Sequence, residues 1–196
     1  QMDGDTLILN GATNERASIV NVENIILSSG SSANVPVMLD LSASTLPLTF
    51  AIQGIELGSE TIIGGQADDI FQTSLGGDTL TGGAGNDMFE LSANPTGVEF
   101  DGTVITDFAV GDSIVFPTFG SSALIFIGEG VFTDTPRELR YEKSGGTTRL
   151  IADVSDEGPG TSVLTLTNGE FDLMIDPNNL GQLIIDEPAM SFGDVG

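Results

Sequence analysis

The sequence predicts an all-β chain whose centre is a parallel β-solenoid built on nonapeptide repeats. Long amphipathic helical stretches are hard to find, and short β-branched runs recur from end to end, separated by Gly, Ser, Asn and Pro. From Ile55 onward, four nine-residue windows align without a gap.

Residues 1–54 contain the runs "TLILN", "ASIVNVENIIL", "VPVMLDL" and "LTFAIQ", spaced like short strands about a dozen residues apart. Residues 55–91 hold the windows "IELGSETII", "GGQADDIFQ", "TSLGGDTLT" and "GGAGNDMFE". Their sixth position reads Glu60, Asp69, Asp78, Asp87; the fourth reads Gly58, Ala67, Gly76, Gly85; the eighth reads Ile62, Phe71, Leu80, Phe89. Each window predicts a glycine-rich turn followed by a very short strand whose eighth residue points inward. Glycine suits such a turn because it accepts positive φ and lets neighbouring carbonyls approach an ion closely. If each repeat makes half a coil, repeat n stacks on n+2, which pairs Asp69 with Asp87 and Glu60 with Asp78. About two ions then sit between the turns, held by paired carboxylates and backbone carbonyls. Residues 92–196 continue with "TVITDF", "ALIFI", "TTRLIADV" and "SVLTLT" as strands. The one helix expected is "TPRELRYEK", residues 135–143, with Pro136 in its first turn.

Charge narrows the partners. Twenty-nine acidic residues oppose five basic ones, a formal charge of −24 that repels nucleic acid and anionic membranes. Self-repulsion of that size destabilises a compact state, so bound cations are expected to assist folding. Calcium, a hard oxygen-seeking ion, suits a chain without histidine or cysteine. Those two absences also remove disulfides, thiolate metal sites and the commonest general base. The chain starts at Gln1 without a basic leader, no apolar run reaches the roughly 18 residues of a membrane span, and it is expected to be a piece of something longer.

These windows resemble the hemolysin-type calcium-binding (RTX) repeat, G-G-x-G-x-D-x-U-x, which "GGAGNDMFE" matches in full. The resemblance implies a parallel β-roll with calcium between stacked turns, in proteins exported by type I secretion. Ala67 in place of glycine, Glu60 in place of aspartate and "TSL" in place of the opening glycines of the third repeat depart from the pattern. "GDTLIL" near the start looks like the end of another repeat, with Asp5 at the sixth position. Downstream, "TVITDFAVGDSIVF" is similar to the segment that closes the roll in the C-terminal domains of serralysin proteases, with Asp107 and Asp112 in the pattern and Thr103 where aspartate is frequent. The residues after it look like the β-sandwich-like remainder of that domain, so the resemblance spans roughly residues 55–173. Carried onto this chain, it implies metal ligation by Glu60, Gly64, Gln66, Asp68, Asp69, Asp78, Gly82, Ala84, Asn86, Asp87, Asp107 and Asp112. Residues 1–54 resemble the irregular β-solenoid coils of bacterial S-layer proteins and large adhesins, which makes residues 1 to about 91 one continuous solenoid; a separate small β-domain over 1–54 is the alternative.

Other readings are weaker. A phosphate cradle lacks any "GxxxxGK[ST]" and stands in anionic surroundings. "DVSDEGPG", residues 153–160, fails the spacing of an EF-hand and reads as a hairpin turn. Arg137, Arg140, Lys143 and Arg149 are expected to pair with Glu138, Glu142 and nearby acids. No carboxylate pair is singled out for catalysis, and "HExxH" is impossible without histidine. The expected function is a non-catalytic, calcium-binding C-terminal module of a type I-secreted bacterial surface protein, an S-layer protein or adhesin, self-associating or meeting neighbouring subunits. The alternative is the secretion and folding module of an extracellular protease, lipase or polysaccharide epimerase. The end "LIIDEPAMSFGDVG" suits either a type I secretion signal or a frayed terminus.

Overall fold

The computed structural model describes residues 6–10, 23–28, 38–53, 59–73, 77–91, 100–116, 124–133, 135, 137–153 and 161–187. Asp5, Gly58, Gly76, most of the "DVSDEGPG" stretch expected as a turn and the end of the chain from Pro188 lie outside the described residues.

Among the described residues, four strands precede the repeats: β1 (Thr6–Asn10), β2 (Asn24–Ser28), β3 (Met38–Asp40) and β4 (Thr49–Gln53). Each repeat then contributes one three-residue strand: β5 (Thr61–Ile63), β6 (Ile70–Gln72), β7 (Thr79–Thr81) and β8 (Met88–Glu90). Strands this short follow from the period, because the glycine-rich turn uses most of each window and leaves one inward residue. The alternation is strict. Ile62, Phe71, Leu80 and Phe89 are each at most 1% exposed, while their neighbours face outward.

Stacking follows the half-coil rule: β5 pairs with β7 and β6 with β8, both parallel, at an offset of one two-repeat coil. Next come β9 (Thr103–Ile105) and β10 (Ser113–Val115), which add one parallel rung to each side. The C-terminal region supplies β11 (Ile125–Phe126), β12 (Glu138–Ser144), β13 (Thr147–Asp153), β14 (Thr161–Leu166), β15 (Leu173–Asp176) and β16 (Asn179–Ile185). Two eight-stranded sheets result, β1-β2-β4-β6-β8-β10-β16-β15 and β11-β12-β13-β14-β9-β7-β5-β3. The cap closes the solenoid because β16 covers the edge of β10 and β14 covers the edge of β9. Without it two rows of unpaired backbone groups would be open.

Between the sheets runs a column of rings. Phe50, Phe71 and Phe89 stack face to face at 4.8 and 5.0 Å, Phe108 lies 6.3 Å beyond Phe89, and Phe171 meets Phe108 edge-on at 6.0 Å. Opposite them Leu39, Ile62, Leu80 and Ile105 stack in register. A fully buried phenylalanine contributes about 1.5–3 kcal/mol, and each ring contact adds about 0.5–1.5 kcal/mol.

The helix expected over 135–143 does not form; Glu138–Ser144 is a strand. Leu139 and Tyr141 point into the core while Arg140 and Glu142 face outward, a period of two rather than 3.6. Gly145 and Gly146, at φ 63° and 82°, make the two-residue turn into β13, and two positive φ values in succession suit a type I′ hairpin. Arg137 at φ 68° is incompatible with a right-handed helix. No helix occurs among the described residues, so none is long and apolar enough to cross a membrane. The basic residues of this hairpin pair locally, as expected: Arg140 and Arg149 both reach Glu142, at 3.2 and 2.7 Å, and Lys143 contacts Asp172. Glu138 is buried and instead accepts hydrogen bonds from the N–H and hydroxyl of Thr133.

Candidate metal centre

Stacking places the turns of residues 64–69, 82–87 and 107–112 above one another along one edge of the solenoid, with residues 42–48 at the bottom. The last aspartate of each of these turns reaches back one coil. Asp69 Oδ1 accepts the N–H of Leu48 at 2.8 Å, Asp87 Oδ1 accepts that of Asp69 at 2.8 Å, and Asp112 Oδ1 accepts that of Asp87 at 2.9 Å. Their second oxygens grip their own turns: Asp69 Oδ2 takes Gly65 N–H at 2.6 Å and Asp112 Oδ2 takes Ala109 N–H at 2.8 Å. Two further acids join the same edge. Asp68 accepts the N–H of Asn86 at 2.8 Å, and Asp107 accepts those of Gly82 and Gly83, both at 2.8 Å.

The glycines are required by the closeness of the turns. A Cβ on Gly64 would lie 2.3 Å from the Gly82 carbonyl oxygen and 2.6 Å from Asp69 Oδ2. One on Gly83, at φ 103°, would lie 2.1 Å from the Gly65 carbonyl. Carboxylate and carbonyl oxygens of successive turns therefore crowd into notches that any side chain would fill.

On the opposite edge the stack is Glu60, Asp78 and Thr103. Glu60 N–H reaches Asp78 Oδ1 at 3.2 Å, and Asp78 and Thr103 are fully buried. The structure thus brings together both expected pairs, Asp69 with Asp87 and Glu60 with Asp78, and adds Asp107 and Asp112 to the first. It also shows Leu48 as the lower end of the aspartate ladder, a role invisible in sequence because only its backbone takes part.

Asp69, Asp87 and Asp112 are at most 3% exposed. Burial pushes all three carboxyls above the ordinary carboxylate range, and Asp87, with Asp112, Asp69 and Asp107 as like-charged neighbours, reaches about 7. Backbone N–H groups oppose the rise without cancelling it. Stacked buried carboxylates that no cationic side chain pairs among the described residues suit a hard divalent cation. Among the described residues no three acidic side chains converge on one point, so carbonyl oxygens must complete any coordination, and the glycine notches place them beside the carboxylates. An all-oxygen donor set of this kind fits Ca2+ rather than zinc.

No curated protein matches the chain. Residues 56–89 match, in four copies, the family model described as the RTX calcium-binding nonapeptide repeat. With the half-coil stacking and the glycine notches, that match identifies the centre of this all-β chain as an RTX β-roll whose nonapeptide repeats bind Ca2+.

Proposed function

We propose that the chain is a non-catalytic, calcium-folded C-terminal module of a type I-secreted bacterial surface protein of the S-layer or adhesin kind. Proteins with these repeats are typically secreted. The observation that carries the reading is the ladder of buried, mutually repelling aspartates in a chain of net charge −24. Such a ladder opposes folding where calcium is scarce and favours it where calcium is abundant.

Asp69, Asp87, Asp107 and Asp112, with Asp68, Asn86 and the carbonyls of Gly64, Gln66, Gly82 and Ala84, would hold the ions on one edge; Glu60 and Asp78 would serve the other. Calcium, when bound, supplies the positive charge that the side chains lack. The chain's own part is to position oxygens. Backbone N–H groups orient each carboxylate, the glycines let adjacent turns approach, and the ring column keeps the turns in register. The serralysin-like segment after residue 91 would act as the cap, and β1 to β4, in the same two sheets as the repeats, favour a surface solenoid over an enzyme's tail.

The test is a calcium titration of EDTA-treated protein, followed by far-UV circular dichroism and size-exclusion light scattering, with Asp69→Ala and Asp87→Ala alongside. Calcium should raise the β signal, both variants should weaken the response, and oligomers should accompany folding. Identical spectra with and without calcium would refute the folding role, and calcium-folded monomers would point to the enzyme-tail alternative.

A further inference from the structure

We propose that Phe108 is a positioning residue that ties the last calcium-bearing turn to the C-terminal cap, so that docking of the cap follows calcium. The inference rests on the proposed calcium role of residues 107–112. Three consecutive residues there serve three different parts of the molecule. Asp107 receives the N–H groups of Gly82 and Gly83 from the turn below. Ala109 N–H holds Asp112, which in turn holds Asp87. Between them Phe108 is fully buried, its ring packed between Phe89 of the roll and Phe171 of the cap, and its carbonyl accepts Asn168 Nδ2–H at 2.9 Å. The backbone that shapes the turn therefore also sets where the ring and the carbonyl lie.

On the cap side the contact runs on through specific bonds. Phe171 N–H donates to Thr148 Oγ1 at 2.7 Å, and Thr148 lies on β13, paired with β12. Asp172, the next residue, accepts the hydroxyl of Tyr141, whose ring stacks on Phe126 at 6.0 Å. With the carboxylates of the turn repelling one another, residues 107–112 lose this shape and the cap loses the ring against which Phe171 rests. Once they are neutralised, turn and cap lock together.

Tyr141 is the chain's single tyrosine and there is no tryptophan, so its fluorescence reports the cap alone. Full-length, EDTA-treated protein titrated with calcium chloride should show Tyr141 and far-UV signals moving with one midpoint, in the wild type and in Val131→Ala, a change at an exposed site. In Phe108→Ala the two midpoints should separate by roughly tenfold, the size of a typical coupling between sites. Phe171→Ala, which leaves the turn intact, should separate them likewise, and Phe108→Leu should restore part of the coincidence. If Phe108→Ala does not fold, Phe108→Leu and Phe171→Ala still decide the matter. Coincident midpoints in every variant, or a Tyr141 signal indifferent to calcium while the far-UV signal responds, would overturn this link alone. A far-UV signal that ignores calcium would overturn the calcium reading beneath it as well.

Discussion

Asp87→Asn should act in opposite directions with and without calcium. The amide keeps the shape of the side chain and can still accept the Asp69 N–H that Asp87 Oδ1 takes at 2.8 Å. What it removes is a charge. In calcium-free protein the Asp87 carboxyl is pushed up to about 7 from an ordinary 3.8, by burial first and by neighbouring acids after that. Each tenfold change in proton affinity is worth about 1.4 kcal/mol, so the full displacement would cost about 4 kcal/mol at pH 8. Solvent screening and relaxation of the neighbours reduce this to about 1–2 kcal/mol. For a chain of this length the variant should therefore melt about 2–8 °C above the wild type in EDTA. In millimolar calcium the same change removes a charge that the proposed function assigns to calcium binding, and the variant should melt below the wild type, with a calcium midpoint raised about tenfold or more. The assay is thermal unfolding by circular dichroism at pH 8 in both solutions, or, where the calcium-free protein is unfolded throughout, the folded fraction at low temperature. A variant less stable than the wild type in EDTA, or unaffected in calcium, would refute the argument.

Other outcomes follow from the same geometry. Because the raised carboxyls of Asp69, Asp87 and Asp112 hold protons more tightly folded than unfolded, calcium-free protein should be most stable in acid and lose stability as pH rises from about 4 to about 7; a urea midpoint measured at each pH checks this, and calcium should flatten the profile. Phe71→Ala, which removes the middle ring of the stack, should cost about 3–5 kcal/mol in calcium-loaded protein by urea unfolding. Gly83→Ala should destabilise far more than Gly145→Ala, since both glycines have positive φ but only Gly83 has a carbonyl 2.1 Å from its would-be Cβ; the Gly145 change should cost about 1 kcal/mol in the same assay.

The roll was legible because the turn, the sixth and the eighth positions of the repeat each have their own physical demand, so residue type and period agree: glycine at the turn, an acid at the sixth place, an apolar residue at the eighth. The closing turn keeps the geometry but breaks the count. Met88 stacks on Ser113 at an offset of 25 residues, whereas Ile70 stacks on Met88 at 18. No periodic reading finds Asp107 and Asp112 as the next rung; they entered through a resemblance of motif instead. Leu48 was hidden because it contributes an N–H that any residue but proline supplies. The false helix at 135–143 arose from charged residues alternating with Leu139 and Tyr141, a short pattern that suits either period until the Gly145–Gly146 turn settles the pairing.

The brevity of the roll's strands has a mechanical consequence. Strands of three residues lie across the solenoid axis, so tension along that axis opens coils singly instead of shearing a long ladder at once. One coil stores the 18 residues between Thr61 and its stacked partner Thr79. Folded, it adds about 4.8 Å to the length of the solenoid; released, it spans up to about 60 Å. Each coil that yields therefore lengthens more than tenfold, and under the proposed calcium role the calcium concentration would set the load at which it gives way.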